Sequence, residues 1–162
     1  MRLLHTFAMI GAPCLILVVA TLESGRHNNP PVTPEHTIQE NLAVPPAVNA
    51  MLHQSCYDCH SSETRWPWYS QVPGIGSLME HDVHGGREAM NFSEWSVGVG
   101  KTPLQGGAML IAACEAVKQH LMPKPNYLRL HPEATPKPIE IEQFCAWTRV
   151  QAAELMQSDG KR

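Results

Sequence analysis

Apolar residues along this chain fall into one continuous run and then into stripes of helical period. The run comes first: Met1-Arg2 is followed by mostly apolar residues from Leu3 to Leu22, diluted by His5 and Thr6 and interrupted by Gly11-Ala12-Pro13. A single early positive charge ahead of such a run is the pattern of an export signal, and Val18-Val19-Ala20 offers small residues for cleavage. A run of about 20 residues is also long enough to span a bilayer. Residues 1–22 therefore read as a signal peptide or a membrane anchor. Cys14 lies inside the run, but Pro13 before it fits a lipid-attachment pattern poorly. Residues 23–44, polar at first and carrying Pro30-Pro31, read as a linker or extended N-terminal segment.

From residue 45 to 156 the period is that of helices. Pro45-Pro46 supplies a start, and Ala47/Val48, Met51/Leu52 and Ser55/Cys56 follow on one side. A second helix is expected from about Ile75 to His84, with Ile75, Leu78, Met79 and Val83 on its apolar face and Gly85-Gly86 as its end. Asn91-Phe92-Ser93-Glu94-Trp95 follows, with Ser93 as a candidate N-cap. Thr102-Pro103 opens a third helix whose face carries Leu110, Cys114, Val117 and Leu121, with Gly106-Gly107 weakening its first turns. Met122-Pro123-Lys124-Pro125 must leave helical geometry. The last helix runs from about Pro138 to Leu155, with Ile141, Phe144, Cys145, Thr148 and Ala152 along one side. Trp66-Pro67-Trp68-Tyr69 reads as a loop, because Pro67 disfavours a helix interior. No stretch alternates with period two and no repeat is present. The expected fold is all-α: a small bundle of about four short helices, with 157–162 as a polar tail.

One short stretch gives this bundle something to enclose. Cys56-Tyr57-Asp58-Cys59-His60 has the spacing of a c-type haem attachment site. Thiols at i and i+3 lie on one side of a helical turn, and each can add to a haem vinyl group as a thioether. The adjacent imidazole is then held beneath the iron as its proximal ligand. A dithiol redox site would need a βαβ context, which is missing. A zinc site would need a second close pair of ligands, whereas Cys114 and Cys145 stand far apart. The bundle is thus expected to wrap one covalent haem c. Tyr57 and Asp58 occupy the variable positions and receive no role.

A low-spin electron carrier needs a second axial ligand, usually Met or His. Met122, Met109, His81, His84, His120 and His131 are the candidates. Met122 is preferred, because it stands before a proline, in a loop, 62 residues beyond His60. The alternatives are a core methionine at 122, one of the histidines as ligand, or an open sixth position. Arg65 and Arg87 are candidate partners for the two haem propionates. Trp66, Trp68 and Tyr69 are candidates to shield the ring from water.

Composition removes some options. Charged residues are 17% of the chain, the formal net charge is −3, and no basic block occurs; nucleic acid is therefore not expected as a partner. With Cys56 and Cys59 assigned to haem and Cys14 in the N-terminal run, Cys114 and Cys145 remain as an even pair. They read either as a disulfide in an oxidising compartment or as two small buried apolar residues.

Several segments then stand together: Pro30-Pro31-Val32, Val44-Pro45-Pro46, and Cys56 to His60 running on through Ser61-Ser62-Glu63-Thr64-Arg65-Trp66-Pro67-Trp68-Tyr69-Ser70. Further on come His81-Asp82-Val83, Gly86-Arg87, Asn91-Phe92-Ser93-Glu94-Trp95, Met122-Pro123, Tyr127-Leu128, Leu130-His131-Pro132-Glu133-Ala134 and Cys145-Ala146-Trp147. In these the chain resembles a family of small bacterial haem-binding domain proteins related to cytochrome c. The resemblance implies one covalent haem, export from the cytoplasm and an electron-transfer role. It carries over Cys56, Cys59 and His60, and Met122 with them. The family tends to have Gly-Glu before its Met-Pro, where this chain has His120-Leu121.

The expected function is that of an exported mono-haem electron carrier rather than an enzyme. It would sit in the periplasm or on the outer face of the inner membrane and exchange electrons with redox proteins of the cell envelope. A haem enzyme of peroxidase type, or a gas or redox sensor, would instead keep a displaceable sixth ligand. His81 or His131 with Arg87 would then form its distal pair. A third reading is a structural module in which haem only staples the fold.

Overall fold

The computed structural model describes residues 27–96 and 102–160. The expected signal or anchor (1–22), Cys14 and the breaks at Gly98 and Gly100 lie outside the described residues. Within them there are seven α-helices and no strand. These are α1 (Ile38–Asn41), α2 (Pro46–Ser55), α3 (Tyr57–His60), α4 (Ile75–Ala89), α5 (Pro103–Lys118), α6 (Pro125–Leu130) and α7 (Pro138–Asp159). Short 3₁₀ turns at Pro34–His36, Trp68–Gln71, Phe92–Glu94 and Pro132–Ala134 join them. The four helical stripes correspond to α2, α4, α5 and α7. None of these helices is long and apolar enough to cross a membrane.

The scaffold is the pair α5 and α7, which make the most extensive helix-to-helix contact. α5 starts where Thr102-Pro103 suggests. Thr102 Oγ1 accepts from the Gln105 amide at 3.3 Å, and Gln105 returns its side-chain oxygen to the Thr102 amide at 2.9 Å. The helix runs through Gly106 and Gly107. A Cβ on Gly107 would meet the Ala152 carbonyl at 3.1 Å, so the missing side chain lets α5 approach α7 closely. Cys114 and Cys145 cross-link the two helices as a disulfide, with their Cα atoms 5.1 Å apart. The core gathers against this pair: Leu52, Leu110, Phe92, Phe144 and Ile38 are almost wholly buried. Each such side chain contributes about 1.5–3 kcal/mol relative to exposure.

Three expectations are corrected. First, Gly85-Gly86 does not end the second helix, which continues to Ala89. A Cβ on Gly86 would lie 2.4 Å from the Cys59 carbonyl oxygen, so this glycine marks a close crossing of α4 over α3. Second, residues 27–44 are not a free linker. Ile38 and Leu42 belong to the core, and Trp147 Nε1 donates to the Ala43 carbonyl at 2.9 Å. His27 stacks on Trp66 with ring centroids 4.3 Å apart. Third, Asn91 rather than Ser93 caps the turn that follows it, accepting from the Ser93 amide at 3.0 Å.

α5, the third helix expected from the sequence, stops at Lys118, short of Leu121, which is exposed. His120 takes a φ of 55°, the left-handed region that costs an L-residue roughly 1–2 kcal/mol. The amides of Leu121 and Met122 then bond back to the Ala116 carbonyl, and Met122 precedes a cis proline. A glycine at this position, lacking a Cβ, would remove the strain. His120→Gly is therefore expected to raise stability by about 0.5–1 kcal/mol, read as an upward shift of the thermal unfolding midpoint.

Candidate functional site

The first helix does not run unbroken into the cysteine motif. α2 ends at Ser55, and Cys56 leaves helical geometry with φ −126° and ψ −36°. α3 restarts at once, with the amides of Cys59 and His60 both donating to the Cys56 carbonyl at 3.2 and 3.0 Å. One turn thereby holds two unpaired thiols and one imidazole. Burial pushes the Cys56 thiol up to about 12 and the Cys59 thiol up to about 11. Both are therefore protonated at neutral pH, unlike the ionised thiolate of a reactive dithiol.

His60 is held at the residue next to the C-terminus of α4. Its Nδ1 lies 3.0 Å from the Met90 carbonyl oxygen. A carbonyl can only accept, so Nδ1 carries the proton and Nε2 keeps its lone pair. Burial lowers the basicity of His60 by more than the nearby Met90 and Gly86 carbonyls raise it. The neutral ring with a fixed tautomer is the form that ligates a metal. Phe92 lies beside it, with ring centroids 6.2 Å apart.

Cys56, Cys59 and His60 open onto a cavity of about 580 Å³, within the size range of cofactor pockets. Ile75, Leu78, Met79 and Val83 form part of its wall. The apolar face expected on α4 is thus real, but much of it fronts this space. Ile75 and Leu78 are accordingly exposed. Met122 is on the wall, and so are Met109, His81 and His131. His84, which pairs with Glu88 at 3.3 Å, and His120 are not.

One edge of the cavity is polar. Arg65 grips Asp58 with Nε and a terminal nitrogen, each at 3.0 Å. Tyr127 donates at 2.7 Å to Asp58 Oδ2, the oxygen that also accepts from the Arg65 terminal nitrogen. Tyr127 also stacks on His131 at 4.5 Å, and His131 Nε2 is hydrogen-bonded to the Tyr69 hydroxyl. Burial works to raise the Asp58 pKa, but the hydrogen bonds from Arg65 and Tyr127 outweigh it and hold the carboxyl below its ordinary value. Arg65, Asp58, Tyr127, His131 and Tyr69 all line the cavity. The sequence alone assigns no role to Asp58 or Tyr127, although both fall in segments that carry the resemblance, Cys56 to His60 and Tyr127-Leu128.

Three expected site residues lie elsewhere. Arg87 uses its guanidinium on the Ser61 carbonyl at 2.7 Å, Thr64 Oγ1 at 2.9 Å and Asn29 Oδ1 at 3.0 Å. It clamps the chain after the motif instead of facing the cavity. Trp66 is occupied by His27 and Asn29. Trp68 is 81% exposed, because Pro67 and the 3₁₀ turn aim it outward, and of the three aromatic residues here only Tyr69 reaches the cavity wall.

The donor set suits haem. An apolar space with one polar edge fits a flat apolar macrocycle bearing two carboxylates. Ser55 lines the same space, and its buried hydroxyl has no partner among the described residues, as expected of a group that meets a ligand. No cluster of three His, Cys, Asp or Glu side chains able to hold a bare metal ion occurs among the described residues.

The family model of the haem-binding domain matches residues 14–150. Neither the curated proteins nor the solved structures gave a match. The family match covers most of the chain, including the cysteine turn, the α4 crossing and the Met122 loop, and the chain belongs to the haem-binding domain family.

Proposed function

We propose that the protein is an exported mono-haem c-type cytochrome that carries single electrons. The observation behind this reading is that Cys56, Cys59, His60 and Met122 share one apolar cavity. Haem bound there supplies one-electron chemistry at its iron. Cys56 and Cys59 hold the macrocycle by two thioether links. His60 offers Nε2, its orientation set by the Met90 carbonyl. Met122 offers a thioether from the loop after α5. The α4 and α5 walls exclude water, which together with a methionine ligand favours a raised reduction potential. Export rests on the N-terminal run, and it implies redox proteins of the cell envelope as partners.

The test uses protein matured with a cytochrome c assembly system. The alkaline pyridine haemochrome is expected to have the spectrum of a porphyrin whose vinyl groups are saturated. Pigment that extracts into acidified organic solvent would refute the covalent link. The ferric protein is expected to show the far-red methionine–iron band, and Met122→Ala to lose it. Survival of the band in that variant removes Met122 as a ligand.

A haem enzyme or gas sensor is the competing reading. Arg87 is engaged by Ser61, Thr64 and Asn29, which leaves His81 or His131 without the arginine partner that such a distal site uses. Slow, weak carbon monoxide binding to the reduced protein fits the carrier, and rapid tight binding fits the alternative.

A further inference from the structure

The cavity wall carries two imidazoles that the proposed ligand set does not use, His81 and His131, and the second is held by hydrogen bonds on both ring nitrogens. His131 follows α6 and is mostly buried, with its side chain 20% exposed. Its ring is held on three sides. Nδ1 lies 3.0 Å from Glu133 Oε1, Nε2 meets the Tyr69 hydroxyl, and the Tyr127 ring stacks against its face. The carboxylate can only accept, so Nδ1 keeps its hydrogen. The Tyr69 hydroxyl can donate to a bare Nε2 or accept from a protonated one. Both protonation states are therefore hydrogen-bonded in one arrangement of heavy atoms, and only a hydroxyl hydrogen turns between them.

We propose that His131 is a proton-binding site linked to the redox state of the haem. The inference rests on the reading above, that haem occupies the cavity His131 lines. When one electron from a redox partner reaches the iron, the site gains a negative charge in surroundings of low dielectric. Uptake of one proton from water at His131 Nε2 restores the net charge; on oxidation the electron and the proton both leave. Linkage makes the coupling reciprocal: a bound proton favours the electron as much as the electron favours the proton. Glu133, held at Nδ1 with its side chain 69% exposed, supplies the counter-charge for the protonated ring. Its own backbone amide and His131 hold the Glu133 carboxyl below its usual range, so it is ionised.

The other groups around the ring are accounted for. Tyr69 comes from the Trp68–Gln71 turn, and Tyr127 from α6. Behind Tyr127 stand Asp58 of α3 and Arg65 of the following loop, paired with each other. From α2, Gln54 donates its amide to the Glu133 carbonyl and adds no charge. Histidine is the side-chain type that changes charge near neutrality, and among the groups around this ring His131 is the one of that type.

The midpoint potential of the matured protein, followed spectroelectrochemically from pH 5 to 8, tests this. In the wild type it is expected to fall as pH rises. The limit is a tenfold change in the reduction equilibrium per pH unit, about 59 mV for one electron. His131→Gln is expected to flatten the profile while leaving the haem spectrum and the far-red band intact. A flat wild-type profile overturns the proposal, as does a slope that survives in His131→Gln, which would assign the proton to His81 or the haem carboxylates. Should that variant not fold, nuclear magnetic resonance of the wild-type His131 ring decides the matter. The reduced protein is expected to hold the His131 proton to higher pH than the oxidised protein, and equal behaviour overturns the proposal. A failed haemochrome test would instead sink the underlying reading, so the two failures are distinguishable.

Discussion

Gly86→Ala is expected to block haem attachment although it touches neither thiol directly. The new methyl would lie 2.4 Å from the Cys59 carbonyl oxygen, 3.0 Å from the Cys59 carbonyl carbon and 3.2 Å from its Cβ. All three belong to the turn that holds the thiols, and two of them are backbone that cannot rotate aside. Either α4 rises off α3 or the turn is pushed out of register. Overpacking of this kind costs about 1–3 kcal/mol. If about 2 kcal/mol falls on the turn itself, its correctly held population drops roughly 30-fold. Met90 lies just beyond α4 and fixes His60 through its carbonyl, so the same shift disturbs the imidazole from the other side. Haemochrome yield per milligram of protein is the measurement. Gly85→Ala gives the stability comparison, because a Cβ there meets nothing within 4 Å. It is expected to keep or raise the thermal midpoint, since alanine is the better helix former by about 0.8–1 kcal/mol. A normal haem yield in Gly86→Ala would mean that the α4 crossing does not position the turn.

Removing the disulfide with Cys114→Ala and Cys145→Ala together is expected to lower stability by about 3–4 kcal/mol. That figure is the loop-closure entropy for a separation of 31 residues. The thermal midpoint should fall by roughly 10–15 °C. The bond joins α5 to α7, and α5 contributes Ala113, Ala116 and Val117 to the cavity wall while α7 contributes Phe144. Loss of the cross-link therefore loosens the wall behind the site as well as the scaffold. A drop below about 1 kcal/mol would show that helix packing alone holds the pair.

Much of this architecture was legible in the sequence because helical periodicity and the cysteine turn are local signals. The starts of α2 and α5 followed from proline and capping chemistry, and the thiol-imidazole turn from spacing. What the sequence did not reveal depends on long-range approach. Gly86 resembles a helix stop when only its neighbours are considered; its role needs Cys59, which another element brings beside it. Ile75 and Leu78 resemble core residues because periodicity identifies an apolar face without saying whether protein or a cavity lies opposite. Arg65 and Arg87 looked equivalent as cations near the motif. They separate only because Asp58 binds one at the cavity edge, while Ser61, Thr64 and Asn29 bind the other on the far side of the loop.

The four described cysteines carry a consequence for biogenesis. On the proposed reading, one pair is oxidised to each other, and the other must be kept reduced until the porphyrin arrives. Four thiols admit three ways of pairing fully, and none of the three is the finished molecule. Cys56 and Cys59, three residues apart, meet far more readily in an unfolded chain than partners separated by 31 residues. An oxidant acting alone would seal the wrong pair first. If the thioether links form as proposed, the protein depends on a cellular environment in which an oxidising and a reducing activity act on the same polypeptide in the right sequence. Heterologous production that supplies only one of the two should accumulate colourless material.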